Sequence, residues 1–139
     1  MKTPDFSFSL CSFIPLITYS NLDTDKSTIL SDNKGKTGIY KIMHIESGKF
    51  YIGSVVNLSI RLKMYYSKNH LNRDKTMYIH IAIFQHGHSA FFLSILEYID
   101  ITNLSKEAAR QLIFEREQHF FDSLGPEYNI QKIANSSLG

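Results

Sequence analysis

The spacing of apolar and polar residues along the chain predicts three strands. Gly38 to Ile45 and Phe50 to Val55 both show strand-like character, and the polar, glycine-containing sequence Glu46-Ser47-Gly48-Lys49 between them predicts a tight turn. The first two strands are therefore expected to pair as an antiparallel hairpin. Phe91 to Ile99 predicts the third strand.

Helical spacing with signals at the ends predicts three helices. They cover Leu58 to about Lys68, Asp74 to about His86 with a stop at Gly87, and Ser105 to Leu124. Ser105 is the expected N-cap of the last helix, and Gly125-Pro126 the expected stop. The order is β-β-α-α-β-α. Three strands cannot close a barrel, so the predicted fold class is α/β (α+β), with a small three-stranded antiparallel central sheet flanked by helices.

The same pattern divides the chain into three parts. Residues 1–35 are predicted to be an N-terminal extension, partly irregular, which either packs on the domain as a strap or is disordered. Residues 36–131 are the main domain, and residues 132–139 the start of a C-terminal linker. A chain of 139 residues suits one compact domain with a real core.

Composition and charge exclude some classes of protein. With Cys11 as the single cysteine, a secreted disulfide scaffold is excluded. The apolar run Phe6 to Tyr19 is interrupted by Pro15 and is shorter than the roughly 20 residues of a membrane span, so no membrane partner is expected. The sequence shows no import signal. A net charge of +2 does not by itself indicate a polyanionic partner.

The predicted hairpin brings two tyrosines to one face of the sheet. A two-residue loop at Ser47-Gly48 would set His44 opposite Tyr51, and alternation would then place Tyr40, Tyr51 and Gly53 on the same face. A four-residue loop keeps this parity, and a three-residue bulged loop reverses it. Gly53 would leave space for the backbone of a ligand. Ordinary sheet tyrosines are the alternative interpretation.

Glu117 is an anomalous carboxylate. Its neighbours three and four residues away on the helix are all apolar, whereas Glu115 faces a mostly polar stripe. A carboxylate on an apolar face is usually paired or bound to a metal, because an unpaired buried charge costs several kcal/mol. A buried ion pair with Arg61 is the alternative interpretation.

One locally basic stretch follows the second strand. Arg61 flanks the inner stripe of its helix, and a guanidinium there suits a phosphate or a carboxylate. The stretch could follow a phosphate backbone, although a solvated helix surface remains an alternative for any single lysine. The candidate DNA-binding residues are Lys63, Lys68, His70, Arg73 and Lys75.

Together these residues resemble the GIY-YIG nuclease family. Gly38-Ile39-Tyr40 and Tyr51-Ile52-Gly53 match its signature. Arg61, Glu117 and Asn129 fall where the family has its phosphate-binding arginine, metal-binding glutamate and closing asparagine. The resemblance covers roughly Gly38 to Ile130. The sequence from Thr18 to Asn57 is most similar to that of fungal mitochondrial members encoded in group I introns, which are homing endonucleases.

The resemblance implies hydrolysis of DNA phosphodiester bonds with one divalent metal, Mg²⁺ or alternatively Mn²⁺. Glu117 would hold the metal and Arg61 the scissile phosphate, while Tyr40 or Tyr51 would position the attacking water or take its proton. Tyr65, where some members carry histidine, would bond the phosphate or the water. The supporting residues would be Gly38, Gly53 and Asn129.

Besides Tyr65, one more position departs from the family, and it concerns phosphate binding. Ser54 stands where some members carry lysine, so a further phosphate contact is either missing or supplied by Lys63 or His70.

The implied partner is double-stranded DNA, with no small-molecule substrate, and the expected state is a monomer. The expected location is mitochondrial, with the protein encoded in the organelle. Three alternatives stay open from the sequence. They are a non-catalytic module that binds intron RNA or DNA, a DNA-repair nuclease of the same fold, and a structural metal protein using His80, His86 and His88.

Overall fold

The structure, a computed structural model, describes residues 15–68, 71, 78–126 and 128. Within these residues the chain forms four strands and four helices, with one single-turn 3-10 helix before the last strand. Their bounds are β1 Ile17–Tyr19, α1 Lys26–Asp32, β2 Gly38–His44, β3 Phe50–Val55, α2 Leu58–Met64, α3 Tyr78–His86, the 3-10 turn His88–Ala90, β4 Phe91–Tyr98 and α4 Lys106–Leu124.

The strands form one antiparallel sheet in the order β1-β4-β2-β3. The predicted antiparallel sheet with flanking helices is confirmed, but the predicted count of three strands is wrong. β1 adds a fourth strand by pairing with β4, with Ile17 opposite Ile95 and Tyr19 opposite Leu93. Three residues are too few to show the two-residue period from which strands are predicted.

The hairpin between β2 and β3 has the predicted parity and a different register. Ile42 lies opposite Tyr51 and Tyr40 opposite Gly53, so the predicted pairing of His44 with Tyr51 is wrong by two residues. The loop contains four residues, 45–48, because the His44 ring fixes its start: His44 Nδ1 lies 2.8 Å from Ser47 Oγ and 3.3 Å from the Ser47 amide nitrogen. Tyr40, Tyr51 and Gly53 therefore share one face, as predicted.

The helix ends follow the expected capping chemistry, with one difference. Ser105 caps α4 by accepting a hydrogen bond from the Ala108 amide, and Gly125 ends it in the left-handed conformation at φ 64°. The helix that begins at Leu58 ends at Met64 rather than near Lys68. Beyond Met64 the backbone tightens into turns that bond three residues back, which carries Tyr65 into the core. Of the predicted helix Asp74 to His86, residues 74–77 lie outside the described residues.

Both faces of the sheet are covered, by different helices. One core cluster contains Tyr40, Tyr51 and Tyr65 together with residues of α2 and α3. The other lies beneath α4 and contains Ile39, Ile52 and residues Ile113, Phe120 and Phe121 of that helix. Because β3 is an edge strand, side chains from the two faces can meet around its outer edge.

The N-terminal segment (residues 15–35) is fastened to the domain by β1, by α1 and by polar contacts. The Leu22 amide donates to the Phe91 carbonyl at 2.9 Å, and the Tyr66 hydroxyl donates to the Leu22 carbonyl at 2.6 Å. Ser59, on α2, donates to the Leu30 carbonyl at 2.9 Å. The segment thus braces the helix that carries Arg61. None of the described helices is long and apolar enough to cross a membrane.

Candidate active site

Gly53 lets two tyrosine rings approach the middle of β3. A Cβ atom placed there would lie 2.6 Å from both Cζ and Oη of Tyr40 and 2.8 Å from Cε2 of Tyr51. The expectation that Gly53 leaves room for a ligand backbone is therefore wrong, because the Tyr40 ring fills that space. Glycine is needed here so that the phenol can lie flat against the strand.

Three tyrosines form a cluster on this face. The hydroxyls of Tyr40 and Tyr65 are 2.7 Å apart and share a hydrogen bond, and the rings of Tyr40 and Tyr51 have centroids 6.1 Å apart. Tyr40 is 0% exposed, Tyr65 1% and Tyr51 8%. Tyr51 is therefore the member of the cluster with the most access to solvent.

Burial is the main cause of the raised pKa of each phenol. Burial raises the pKa of Tyr40, an effect that Arg61 and the hydrogen bond from Tyr65 partly offset. Burial raises the pKa of Tyr51 and of Tyr65 well above the usual value. All three phenols are consequently protonated at neutral pH, so they act as hydrogen-bonding groups unless positive charge is added nearby.

Arg61 projects from α2 toward these tyrosines. Asn57 caps the start of that helix, accepting from the Ile60 amide at 3.4 Å, and the Arg61 side chain is half-buried. Burial by itself lowers the pKa of the guanidinium, but the nearby tyrosines, Tyr40 foremost, raise it above its usual value. The permanently charged guanidinium of Arg61, with its several N–H donors, thus lies beside the three phenols.

Glu117 is buried on the inner side of α4, with 5% of its surface exposed. Its Oε1 accepts a hydrogen bond of 2.7 Å from the hydroxyl of Ser54, which is itself buried. Burial raises the pKa of Glu117 to about 7, although Ser54 and Arg61 each lower it in part. The sequence-based expectation that Glu117 lies on an apolar face agrees with its burial and its raised pKa. Its close partner is Ser54, and Arg61 acts on it electrostatically.

The carboxylate, the guanidinium and the phenols interact around the edge of β3. Glu117 raises the pKa of both Tyr40 and Tyr51, and Arg61 lowers it in both. Ser54, a departure from the family at the level of sequence, contacts Glu117, which the sequence did not predict. The available signal was its parity: Ser54 alternates with Gly53, which places its hydroxyl on the α4 side of the sheet.

The carboxylate fits the chemistry of a hard divalent cation. Ser54 holds one Glu117 oxygen and so fixes the orientation of the other. Across the described ranges, no group of three or more His, Cys, Asp or Glu side chains is placed to hold a metal ion. Among the described residues of this site, Glu117 is a carboxylate that would hold such a cation.

The remaining predicted residues have varied positions. Gly38 is required by packing, because a Cβ there would collide with the Glu97 carbonyl oxygen and lie 3.3 Å from Leu58. Lys63 and Lys68 are exposed near the end of α2. The predicted residues that lie outside the described part of the chain are His70, Arg73, Lys75 and Asn129.

The three histidines of the alternative structural metal site have separate roles. His80 is buried with its ring against Tyr65, at 5.4 Å between centroids, and His86 packs on His44 at 4.4 Å. His88 donates through Nε2 to the Tyr65 carbonyl at 2.7 Å. All three lie in the described ranges and form no metal-binding group there, so that alternative is wrong.

Comparisons with known proteins agree with this geometry. The GIY-YIG catalytic domain matches residues 36–129. A protein of Neurospora crassa named "Probable intron-encoded endonuclease bI1" is 26% identical over 147 residues, covering all of this chain and 32% of that protein. The chain thus spans about a third of the length of that relative.

Two solved structures share the fold. The catalytic domain of intron endonuclease I-TevI in a mutant form has a TM-score of 0.57 and 27% identity, covering 75% of this chain and 99% of the other. The catalytic domain of homing endonuclease I-TevI has a TM-score of 0.53 and 28% identity, covering 69% and 99%. From the matched domain and the site geometry together, this chain belongs to the GIY-YIG catalytic domain family.

Proposed function

We propose that this domain is a metal-dependent endonuclease that hydrolyses phosphodiester bonds of double-stranded DNA. The observation that carries the proposal is Glu117, a buried carboxylate oriented by Ser54 and electrostatically coupled to Arg61. A protein that only binds nucleic acid gains nothing from such a group, because a carboxylate beside a phosphate repels it. A carboxylate that holds a cation there favours hydrolysis instead.

In this proposal Glu117 is the protein ligand of one divalent cation, Mg²⁺ or Mn²⁺. When bound, the cation supplies the positive charge that stabilises the leaving oxygen and the charge that develops on phosphorus. Ser54 donates to one carboxylate oxygen at 2.7 Å and keeps the side chain in a single orientation. Because burial raises the pKa of Glu117 to about 7, the carboxylate must lose its proton before it can act as a ligand.

Arg61 is the proposed clamp for the scissile phosphate. Its guanidinium offers two parallel donors to non-bridging oxygens, and it remains charged at every pH at which the protein is folded. The Tyr40 hydroxyl is bonded to the Tyr65 hydroxyl at 2.7 Å and also interacts with Arg61. This contact holds the Arg61 side chain in place. Donors fixed before the reaction stabilise transition-state charge without reorganisation.

Tyr51 is the proposed group that orients the attacking water. It retains 8% exposure, whereas Tyr40 is fully buried and its hydroxyl is bonded to Tyr65. A neutral phenol can accept a hydrogen bond from the water molecule and so orient a lone pair of the water oxygen toward phosphorus. Burial holds its pKa well above the usual value, so the phenol stays protonated at neutral pH.

The biological setting is part of the proposal. The Neurospora relative is named as an intron-encoded endonuclease and one of the solved structures as a homing endonuclease. For this chain we propose an intron homing role and encoding in the mitochondrial genome. We propose that the domain acts as a monomer, because Glu117, Arg61 and the tyrosines come from one chain. The genomic locus tests the homing role: we expect the gene to lie within a group I intron, and a gene outside any intron would contradict it.

The nicking of supercoiled plasmid in the presence of Mg²⁺ tests the nuclease activity directly. We expect the wild-type chain to nick and Glu117→Gln to be inactive while still binding DNA. Glu115→Gln is the matched control, because Glu115 lies two residues away on the same helix, is exposed and bonds only locally to Gln111. Equal cutting by the two variants would contradict the proposed role of Glu117.

A further inference from the structure

A cavity opens at the hairpin end of β3, beyond the tyrosine cluster. Its volume is about 440 Å³, and it lies between β3, α3 and Tyr128. The helix contributes one face, at positions three, four, seven and eight residues after Tyr78. The lining residues are Lys49, Tyr78, Ile81, Ala82, Gln85, His86 and Tyr128.

The polar groups of this cavity suit an anion. Lys49 brings a positive charge, and Gln85, His86 and the tyrosine hydroxyls can each donate a hydrogen bond. Among the described residues that line the cavity, none is acidic. An oxyanion would therefore meet hydrogen-bond donors and one full positive charge among these residues.

Two of the lining residues make contacts within the fold. His86 packs on the ring of His44 at 4.4 Å, and His44 is buried and bonded to Ser47. Tyr128 is tied to the outer edge of β3, where its amide donates to the Phe50 carbonyl at 3.0 Å. The cavity is thus anchored to the fold through His86 and Tyr128, whereas Lys49, Tyr78 and Gln85 are exposed.

The cavity continues the active site along the same strand. Lys49 immediately precedes β3 and has the parity of Tyr51, and at about 3.4 Å per residue the two residues are separated by about 7 Å. A duplex strand advances about 3.4 Å per nucleotide along its axis and also winds around that axis, so a phosphate one or two nucleotides from the scissile bond lies within reach of this separation. Ala82 lines the cavity and also belongs to the core cluster that contains Tyr51.

We propose that this cavity is a second phosphate subsite, which takes a backbone phosphate of the cleaved strand one or two nucleotides from the scissile bond. The inference rests on the proposed function, because it takes the Tyr51 region as the site of cutting. Lys49 neutralises the phosphate, His86 and Gln85 donate to its oxygens, and the apolar floor accepts the adjoining sugar. The subsite fixes the register of the strand and leaves base identity unread.

The first test measures binding and does not depend on cutting. Fluorescence anisotropy of a labelled duplex, recorded without metal over a range of salt concentrations, gives the slope of log K against log salt. Losing one phosphate contact lowers that slope by about one. We expect this loss for Lys49→Ala in the full chain. Lys106→Ala is the matched control, because Lys106 is an exposed lysine that lines no part of this cavity, and its slope should not change.

The second test locates the phosphate. In a duplex cut by the wild-type chain, single phosphates around the cleaved bond are replaced in turn by neutral methylphosphonates. We expect one replacement, one or two nucleotides from the bond, to weaken binding of the wild-type chain about tenfold and to leave Lys49→Ala unaffected. Additive losses at that position would overturn the assignment.

The two hypotheses fail in different ways. An unchanged salt slope in Lys49→Ala, or an equal loss in Lys106→Ala, overturns the subsite even if the wild-type chain cuts DNA. Absence of Mg²⁺-dependent nicking by the wild-type chain contradicts the proposed function, and the anisotropy slopes still decide whether Lys49 contacts a phosphate.

Discussion

Replacing Glu117 by glutamine should stabilise the metal-free protein at alkaline pH. The side chain is 5% exposed and its pKa is raised to about 7 from 4.5, chiefly by burial. A carboxyl that binds its proton more tightly in the folded state lowers stability when it ionises. This loss in the free energy of unfolding is absent below pH 4.5, grows as the pH rises, and is complete above about pH 7.

The expected size of this effect follows from the shift. A difference of about 2.5 pH units, at 1.36 kcal/mol per unit, corresponds to about 3 kcal/mol. The glutamine side chain of the variant has no proton to lose and keeps an oxygen that can accept from Ser54. The difference in stability between Glu117→Gln and wild type should therefore increase by about 3 kcal/mol from about pH 4 to about pH 8.

Urea unfolding of both proteins in the presence of a chelator, at several pH values, measures this difference. Comparing the two proteins at each pH cancels the titration of all other groups. Glu115→Gln should follow wild type at every pH, because Glu115 is exposed. Adding Mg²⁺ at alkaline pH should stabilise wild type and leave Glu117→Gln unchanged, since in the proposed site the cation is bound by the Glu117 carboxylate. A difference that stays flat across the pH range would refute the argument from burial.

Four further results are expected. Gly53→Ala should lower the urea midpoint by the equivalent of about 2 kcal/mol, because the new Cβ meets the Tyr40 ring at 2.6 Å; an unchanged midpoint would show that the ring can move aside. Arg61→Ala should reduce the single-turnover rate about 100-fold, with a smaller loss of DNA affinity by filter binding, and the reverse pattern would make Arg61 a positioning residue. Ser54→Ala should raise the Mg²⁺ concentration for half-maximal cutting several-fold, whereas Ser54→Thr, which keeps the donor, should retain more of the affinity. At low Mg²⁺ the cutting rate should rise about tenfold per pH unit up to about pH 7, as Glu117 loses its proton, and a flat profile would contradict this.

Local signals were sufficient for the parts of the fold that depend on local structure. The end of α4 at Gly125 and its cap at Ser105 follow from single residues with strong conformational preferences. The shared face of Tyr40 and Tyr51 follows from hairpin parity, which a loop of two or four residues leaves unchanged. Glu117 was recognisable because helical periodicity alone places it among apolar neighbours.

Contacts between distant segments were not predictable in the same way. β1 exists because β4 offers it an edge, and the three residues Ile17–Tyr19 carry no pattern of their own. The bond from Ser54 to Glu117 depends on how α4 docks across the sheet, which no local rule specifies. The filling of the space above Gly53 by Tyr40 depends on a ring conformation set by Tyr65. In each case a tertiary contact decides what the local sequence leaves open.

The strand order has a consequence for how the protein is made. The hairpin of β2 and β3 is local and can form early, but the central ladder joins β2 to β4, which is synthesised much later. Contacts so distant along the chain make folding slow, and an isolated hairpin is only marginally stable. Tyr40, Tyr51 and Arg61 leave the ribosome well before Glu117, whose helix closes the second face. A nascent chain therefore carries Arg61 and the tyrosines without Glu117, and the proposed nuclease activity can begin only when α4 has docked.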